Sequence, residues 1–345
     1  QMFKTFTDET DPVTARGLYQ RHGNRYLVQH PPRPHLSVAQ LDAVYALDYS
    51  RRVHPFYAAK GKVRAMDTIS FSITTHRGCF GECRFCSIAL HEGRTILSRS
   101  EASILAEARK IAALPEFKGY IVDVGGATAN MYGIDCAHKQ TKGACVDKRC
   151  LFPRVCPSLR NDHSRQIRLL ASLREIPGVK KVFVASGIRH DLLLADKNHG
   201  AAYLRSVAKH SISGQLKIAP EHTAPGSLKL MGKPPVRALI DFKNLFEKVN
   251  AGTGRKQFLT YYFIAAHPGC TEEDMRELKS FASRELKTHP EQVQIYTPLP
   301  STWSALMYWT GMDPATGKKI FVEKDPAKKQ RQKDIVTTDR RRKGN

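Results

Sequence analysis

From residue 67 onward the chain alternates β-type runs with helix-periodic segments, and this alternation restricts the fold more than any other feature. Apolar β-type runs fall at residues 68–75, 120–126, 180–187, 214–220, 257–266 and 292–299. Between them, Ile104, Leu105, Ala108 and Ile111 share one helical face, and Pro115 ends that run. Leu170, Leu173 and Ile176 precede the stop at Pro177-Gly178, while Val236, Leu239, Ile240, Phe246 and Val249 follow Pro234-Pro235. Thr271, followed by Glu272, Glu273 and Asp274, is a helix cap with acids on the first turn. Six strands separated by helices predict an α/β fold with a parallel sheet and helices outside it. Right-handed crossovers curl such a sheet toward an open or closed barrel, with ligands at the carboxyl ends of its strands. No internal repeat is present. Residues 1–66 read as a wrap or linker, with the extended Pro31-Pro32-Arg33-Pro34 and a short helical run at Val38–Ala46.

Immediately after the first β-type run come Cys79, Cys83 and Cys86, spaced C-x3-C-x2-C. Three thiolates from one tight loop can hold a cubane iron–sulfur cluster and leave its fourth iron open to a further ligand. Structural zinc prefers four protein ligands and C-x2-4-C pairs. Disulfides belong to a secreted context that nothing else in the chain supports. Four more cysteines, Cys136, Cys145, Cys150 and Cys156, fall in about 20 residues that are rich in Lys and Arg and poor in large apolar side chains. Their four thiols suit a second metal centre, either an auxiliary iron–sulfur cluster or zinc; free thiols are the alternative.

Of the eight cysteines, seven lie in these two groups and no secretory signal is seen, so a reducing, cytoplasmic setting is expected. No apolar run approaches the ~18–20 residues that span a bilayer, so no membrane partner is expected. The net charge of +23 favours polyanions, nucleic acid among them. Residues 318–345 hold 11 Lys and Arg against 4 Asp and Glu, which places +7 of that charge in a basic tail expected to be partly flexible. Because the first residue is Gln1, the natural N-terminus is expected to lie upstream.

The C-x3-C-x2-C loop with Phe85 just before its last cysteine resembles the signature of the radical S-adenosylmethionine (SAM) enzymes. Further strings resemble the YgiQ-type family within them. These include His76-Arg-Gly-Cys-Phe-Gly81, Asp123-Val-Gly-Gly-Ala-Thr-Ala-Asn-Met-Tyr-Gly133, Gly143-Ala-Cys145, Met231-Gly-Lys-Pro234, His267-Pro-Gly-Cys270 and Thr310-Gly-Met-Asp-Pro314. The resemblance spans roughly residues 25–325. It implies a partial (β/α)6 radical SAM barrel over 67–305, with a cysteine-rich insertion at 131–160, an N-terminal extension or linker at 1–66 and a basic C-terminal extension at 306–345. It also implies that family members carry a longer N-terminal region resembling a cobalamin-binding-type domain. The activity implied is reductive cleavage of SAM at a 4Fe–4S cluster to a 5′-deoxyadenosyl radical, which takes a hydrogen atom from a substrate. An electron donor such as flavodoxin or ferredoxin is implied as a partner. RNA leads as substrate class, because the fifth- and sixth-strand motifs also resemble those of tRNA methylthiotransferases and the Elongator catalytic subunit. A small molecule or peptide side chain follows, and a metal-stapled RNA-binding module without catalysis is the rival of another class.

The resemblance carries over to single residues. Gly125 and Gly126, ending the second strand, match the glycine pair that meets the SAM amino group, although Ala127 stands where Pro is usual; a simple tight turn is the alternative. Glu221, ending the fourth strand, suits ribose hydroxyls, and a loop acid or an ion pair with lysine is the bland reading. Ser186 and Arg189 can meet the methionine carboxylate or the substrate, but Arg189 equally suits a pair with Asp191. Phe85 is expected near adenine or as a core aromatic. Cys270, ahead of a helix N-terminus, is a candidate catalytic thiol with a lowered pKa, or an ordinary turn thiol. His222 and His267 lie at strand ends and are more often structural.

Overall fold

A computed structural model describes residues 1–337. An antiparallel hairpin, β1 (Leu18–His22) and β2 (Arg25–Gln29), precedes the sheet and turns at Gly23 in left-handed geometry. Both of its faces are largely exposed, and the hairpin was not anticipated from the sequence. The interleaved Arg, Gln and His residues hide the alternation that usually reveals a strand. The Val38–Ala46 helix forms where expected, closed by a capping box between Ser37 and Gln40.

The sheet begins at β3 (Ser72–Thr74), followed by β4 (His76–Arg77), which pairs antiparallel with β5 (Leu97–Ser98). The first strand is shorter than its apolar run, because Met66–Ile69 is a helical turn in which the Thr68 hydroxyl donates back to the Ala65 carbonyl. The second β-type run forms β6 (Tyr120–Ile121) and β7 (Asp123–Gly125), and β7 pairs parallel with β3. Then β8 (Lys181–Val182) pairs parallel with β6, and Ile188 bridges in parallel to Ile218. Finally β9 (Gln215–Glu221), β10 (Phe258–Ala265) and β11 (Gln292–Ile295) form a parallel sheet in the order β11-β10-β9. Successive runs are therefore neighbours in space.

The helices cover this sheet with the residues their periodicity selects. Glu101–Ala112 buries Ile104, Ala108 and Ile111, and Ser164–Arg174 buries Leu169, Leu170 and Leu173. Val236–Ala251 adds Leu239, Phe242 and Phe246, all against a core containing Ile73, Val124, Val182, Leu216, Ile218, Phe263 and Val293. Each such aliphatic or aromatic side chain contributes roughly 1.5–3 kcal/mol by leaving water. Glu272–Arg284 starts at the Thr271–Asp274 capping box, as its sequence predicts.

Part of the basic C-terminal extension is helical. Pro326–Thr337 is a helix packed on Glu272–Arg284 and β11, with Gln332 and Val336 buried. Gln332 accepts from the Ala266 amide at 2.9 Å and donates to the Cys270 carbonyl at 3.3 Å, tying the helix to the end of β10. Residues 338–345 of the expected flexible extension lie outside the described residues. Among the described residues no helix is long and apolar enough to cross a membrane.

Candidate metal centre

The carboxyl ends of the six parallel runs form one rim. The Cys79–Cys86 loop leaves β4 through Gly78, whose φ of +89° is a left-handed conformation; a Cβ there would lie 2.2 Å from the Thr95 carbonyl oxygen. The loop is tied on several sides. The Cys79 amide donates to Gly93 O at 3.1 Å and Cys86 N to Cys83 O at 3.0 Å. Arg84 N reaches Met231 O at 2.9 Å, and Ser304 N reaches Arg84 O at 2.9 Å.

Donors converge on the sulfurs. Gly81 N donates to Cys79 Sγ at 3.3 Å, the Thr128 hydroxyl sits 3.5 Å from the same sulfur, and Arg189 Nη1 donates to Cys83 Sγ at 3.3 Å. A Cβ on Gly81 would fall 3.1 Å from Arg189 Nη1 and 3.2 Å from Cys79 Sγ, so this glycine keeps the cradle open. Burial pushes the metal-free Cys86 thiol up to about 11, with nearby Cys83 and Cys79 adding to the rise, and burial raises Cys79 as well. Thiolates here need compensation, and the donors supply part of it. Three sulfurs on one loop, with donors at Cys79 and Cys83, fit a cluster that binds one iron to each thiolate. The one close-set group of three metal-type ligands among the described residues is Asp162, Asp196 and His199, with no cysteine. Those carboxylates are committed to hydrogen bonds: Asp196 accepts from His163 and from the amides of Asn198 and His199, and Asp162 from Ser164.

Beneath the loop lies a charge hub that sequence reading missed. The Glu82 carboxylate is buried and meets Arg94 Nε at 3.1 Å, Lys139 Nζ at 3.3 Å and Arg149. Burial alone would raise its pKa; the three cations together hold it below the usual carboxylate range. Arg94 also donates to Cys145 O at 2.9 Å. Cluster loop and cysteine-rich insertion are thus joined through one carboxylate, whose only sequence signal was its place between Cys79 and Cys83.

The insertion itself runs from β7 to the Ser164–Arg174 helix. Cys136 and Cys150 are buried in a small core with Phe80, Ile96, Met131, Ile134 and Leu151, and Cys145 and Cys156 are half-buried. Among the described residues no three of these sulfurs lie within 4.8 Å of one another. The segment therefore rests on apolar packing and on the Glu82 hub as well as on whatever its thiols bind.

The remaining predicted residues distribute unevenly around the rim. Gly125 packs on Ala129, and at Gly126 a Cβ would meet His76 Nε2 and its carbonyl oxygen at 2.7 Å, so the pair is needed for close packing. His76 is buried, and burial lowers its pKa to about 4. The Ser186 hydroxyl is given to Asp123, which also accepts the amides of Ala185 and Ser186. Arg189 does pair with Asp191, through Nε at 2.6 Å and Nη2 at 3.0 Å, while Nη1 faces the cysteine loop. Glu221 sits in left-handed geometry at φ +70°, with Lys233 Nζ 3.7 Å away. Burial raises its pKa, opposed by Lys233 and Arg189, and its charge is felt by Cys86. Phe85 lies edge-on to His267, at 6.2 Å between ring centroids, and His267 in turn packs on Tyr296 at 5.1 Å. The structure thus gathers Cys79, Cys83, Cys86, Arg189 and Glu221.

Cys270 requires a correction. Its thiol is fully buried, and burial pushes its pKa up to about 12, not down. Its sulfur faces His222 Nε2 at 3.4 Å and Gln332 Oε1 at 3.5 Å. Since His222 Nδ1 accepts the amides of Thr223 and Ala224, the ring proton sits on Nε2 and points at the sulfur. The thiol packs under the C-terminal helix, buried and with a raised rather than a lowered pKa. His267 is likewise committed, to Pro268 O and the Ser304 hydroxyl.

Two cavities lie at opposite ends of the strands. One of about 40 Å³ lies between the cysteine loop, Thr7, Thr10 and Trp303, so the N-terminal segment covers the outer side of the loop. A larger one of about 470 Å³ opens at the amino ends of β9, β10 and β11, away from this chemistry.

Residues 1–72 match the Radical SAM N-terminal family. By that match, this chain resembles the radical SAM proteins over its N-terminal segment. More particularly, it is a homologue of the UPF0313, YgiQ-type, proteins. It is 55% identical over 341 residues to a UPF0313 protein of Fusobacterium nucleatum, covering 99% of this chain and 60% of that one. A UPF0313 protein of Methanocella arvoryzae is 47% identical, covering 94% and 53%, and one of Thermotoga maritima 45% identical, covering 97% and 59%. The chain thus spans between half and two thirds of the length of these relatives. Among solved structures, TsrM from Kitasatospora setae, a radical SAM methyltransferase with tryptophan and a SAM analogue bound, matches with a TM-score of 0.41 at 15% identity, covering 66% of this chain and 37% of that one. OxsB, a cobalamin-dependent SAM radical enzyme, matches with a TM-score of 0.46 at 15% identity, covering 85% and 36%.

Proposed function

We propose that this chain is the catalytic portion of a radical SAM enzyme, with its six parallel runs forming a partial (β/α)6 barrel. The observation that carries the reading is the convergence of donors on Cys79 and Cys83 within a loop that ends at the barrel's rim. Cys79, Cys83 and Cys86 would hold a 4Fe–4S cluster through three of its irons. Bound there, the cluster would supply the one-electron chemistry for reductive cleavage of SAM.

The protein's part is to bind, orient and exclude water. Gly125 and Gly126 bring backbone close to the rim, where a ligand's amino group can be met. Glu221, facing Cys86, offers a carboxylate acceptor to ribose hydroxyls. Phe85, held edge-on by His267, presents a ring face for adenine. The N-terminal segment and Trp303 shield the outer side of the loop. A second metal centre in the Cys136–Cys156 segment and a flavodoxin- or ferredoxin-type donor belong to this reading. RNA is the favoured substrate class, on the +23 charge; a small molecule or peptide side chain is the alternative.

Anaerobic reconstitution with iron and sulfide tests the assignment. Dithionite-reduced protein should show an EPR signal that changes on adding SAM, and should release 5′-deoxyadenosine. Cys83→Ala should lose both; cleavage retained in that variant, or protein left colourless after loading, refutes the assignment.

A further inference from the structure

The Arg189 guanidinium is only 6% exposed and is not free to roam. Asp191 takes Nε and Nη2 in a bidentate grip, which leaves the Nη1 edge as the outward face of a fixed fork. That edge points at Cys83 Sγ, 3.3 Å away, and lies beside Cys79 across the space that Gly81 leaves open. The backbone of Arg189 is held just as firmly. Asn130 Oδ1 accepts its amide at 2.7 Å, and Asn130 Nδ2 donates to its carbonyl at 3.1 Å. The same Nδ2 lies 3.1 Å from His163 Nε2. An amide nitrogen only donates, so His163 carries its proton on Nδ1 and gives it to Asp196 at 2.8 Å. From Asp196 through His163 and Asn130, a fully buried chain of hydrogen bonds fixes the position of one cation against the cysteine loop.

A neutral Arg–Asp pair serving only stability has no reason to aim its positive edge at a sulfur. Hydrogen bonds to cluster sulfurs, together with local charge and burial, set the potential of iron–sulfur centres. Reduction adds one negative charge to a cluster, and a donor and cation within hydrogen-bond reach of a ligating thiolate favour the reduced form.

We propose that Arg189 is a redox-positioning residue: by hydrogen-bonding the Cys83 thiolate it raises the potential at which the cluster accepts its electron. The inference rests on the assignment of Cys79, Cys83 and Cys86 as cluster ligands. In the step concerned, one electron passes from a low-potential one-electron donor to the oxidised cluster; no bond breaks and Arg189 keeps its proton.

The test is an EPR-monitored redox titration of anaerobically reconstituted protein, with dithionite and mediators and no SAM. Arg189→Met alone leaves Asp191 buried without a partner, so the R189M/D191L double variant, which removes the pair together, is the decisive one. With full iron content, it should need a lower potential for half-reduction. The expected change is about tenfold in the reduction equilibrium, which for a one-electron couple is about 59 mV. Arg189→Lys, keeping charge without the fork, should fall between it and the parent. A fully loaded double variant with the parental potential overturns the inference. So does a variant whose potential is unmoved while its SAM-induced EPR change weakens, since Arg189 would then serve the SAM carboxylate. If the parent chain itself takes up no cluster, the proposed function fails and this inference with it.

Discussion

At the scale of single residues, glycines and buried charges decide the site. Gly126 has no room for a methyl group, because His76 Nε2 and its carbonyl both lie 2.7 Å from where the Cβ would be. Gly126→Ala should cost about 1–3 kcal/mol by overpacking and lower iron uptake together with the thermal midpoint. Unchanged values for both would show that His76 yields freely. The Cys270 thiol, held near a pKa of 12 by burial, should resist iodoacetamide in the folded protein at mildly alkaline pH and react only after unfolding. Mass-spectrometric detection of rapid alkylation in the native state would return it to the list of reactive thiols. The sequence marked Cys270 and Arg189 as residues of interest but left their roles open. Whether a strand-end thiol faces solvent or His222, and where a guanidinium edge points, depends on residues dozens of positions away.

At the scale of elements, the cysteine loop and the cysteine-rich insertion act as one unit through Glu82. Removing its charge leaves Arg94, Lys139 and Arg149 with no carboxylate between them, and Lys139 is 1% exposed. Glu82→Gln should destabilise the protein by about 3–5 kcal/mol, the usual consequence of breaking a buried ion network from one side. It should also loosen the 136–156 segment, read as faster amide exchange there. A urea midpoint within error of the parent would show that water compensates the cations. Elements with strong local periodicity were legible beforehand: Val38–Ala46, Glu101–Ala112, Val236–Ala251 and Glu272–Arg284 formed where caps and apolar spacing placed them. The β1–β2 hairpin and the Pro326–Thr337 helix were not. The hairpin buries neither face, and the helix carries a surplus of Lys and Arg, so neither shows the apolar stripe that sequence reading relies on.

At the scale of the whole molecule, burial keeps four histidines neutral. His76, His190 and His222 are lowered to about 4 and His267 to about 3, each chiefly by burial. An unfolded histidine titrates near ~6.5. Below that pH the unfolded chain gains protons that the folded chain refuses until about pH 4, so stability falls as pH falls through this window and is fully present above it. The size is on the order of 3 kcal/mol for each histidine, before couplings among them. Urea midpoints measured stepwise from neutral pH toward 4.5 should fall steadily in metal-free protein. A flat profile across that range would mean that these rings are hydrated or already charged in the fold.

Between residues 67 and 305 the sequence by itself determined the alternation of the main strands and helices, the position of the C-x3-C-x2-C loop after the first β-type run, and the glycines at the rim. These depend on periodicity, caps and spacing within a few residues. Only the tertiary structure decided which charges meet. Glu82 finds Arg149 67 positions away, Cys83 finds Arg189 106 positions away, and the Ala144 amide finds Asp11 133 positions away. Electrostatic character follows from burial and from partners brought together by chain closure, and neither is written in any local stretch of residues.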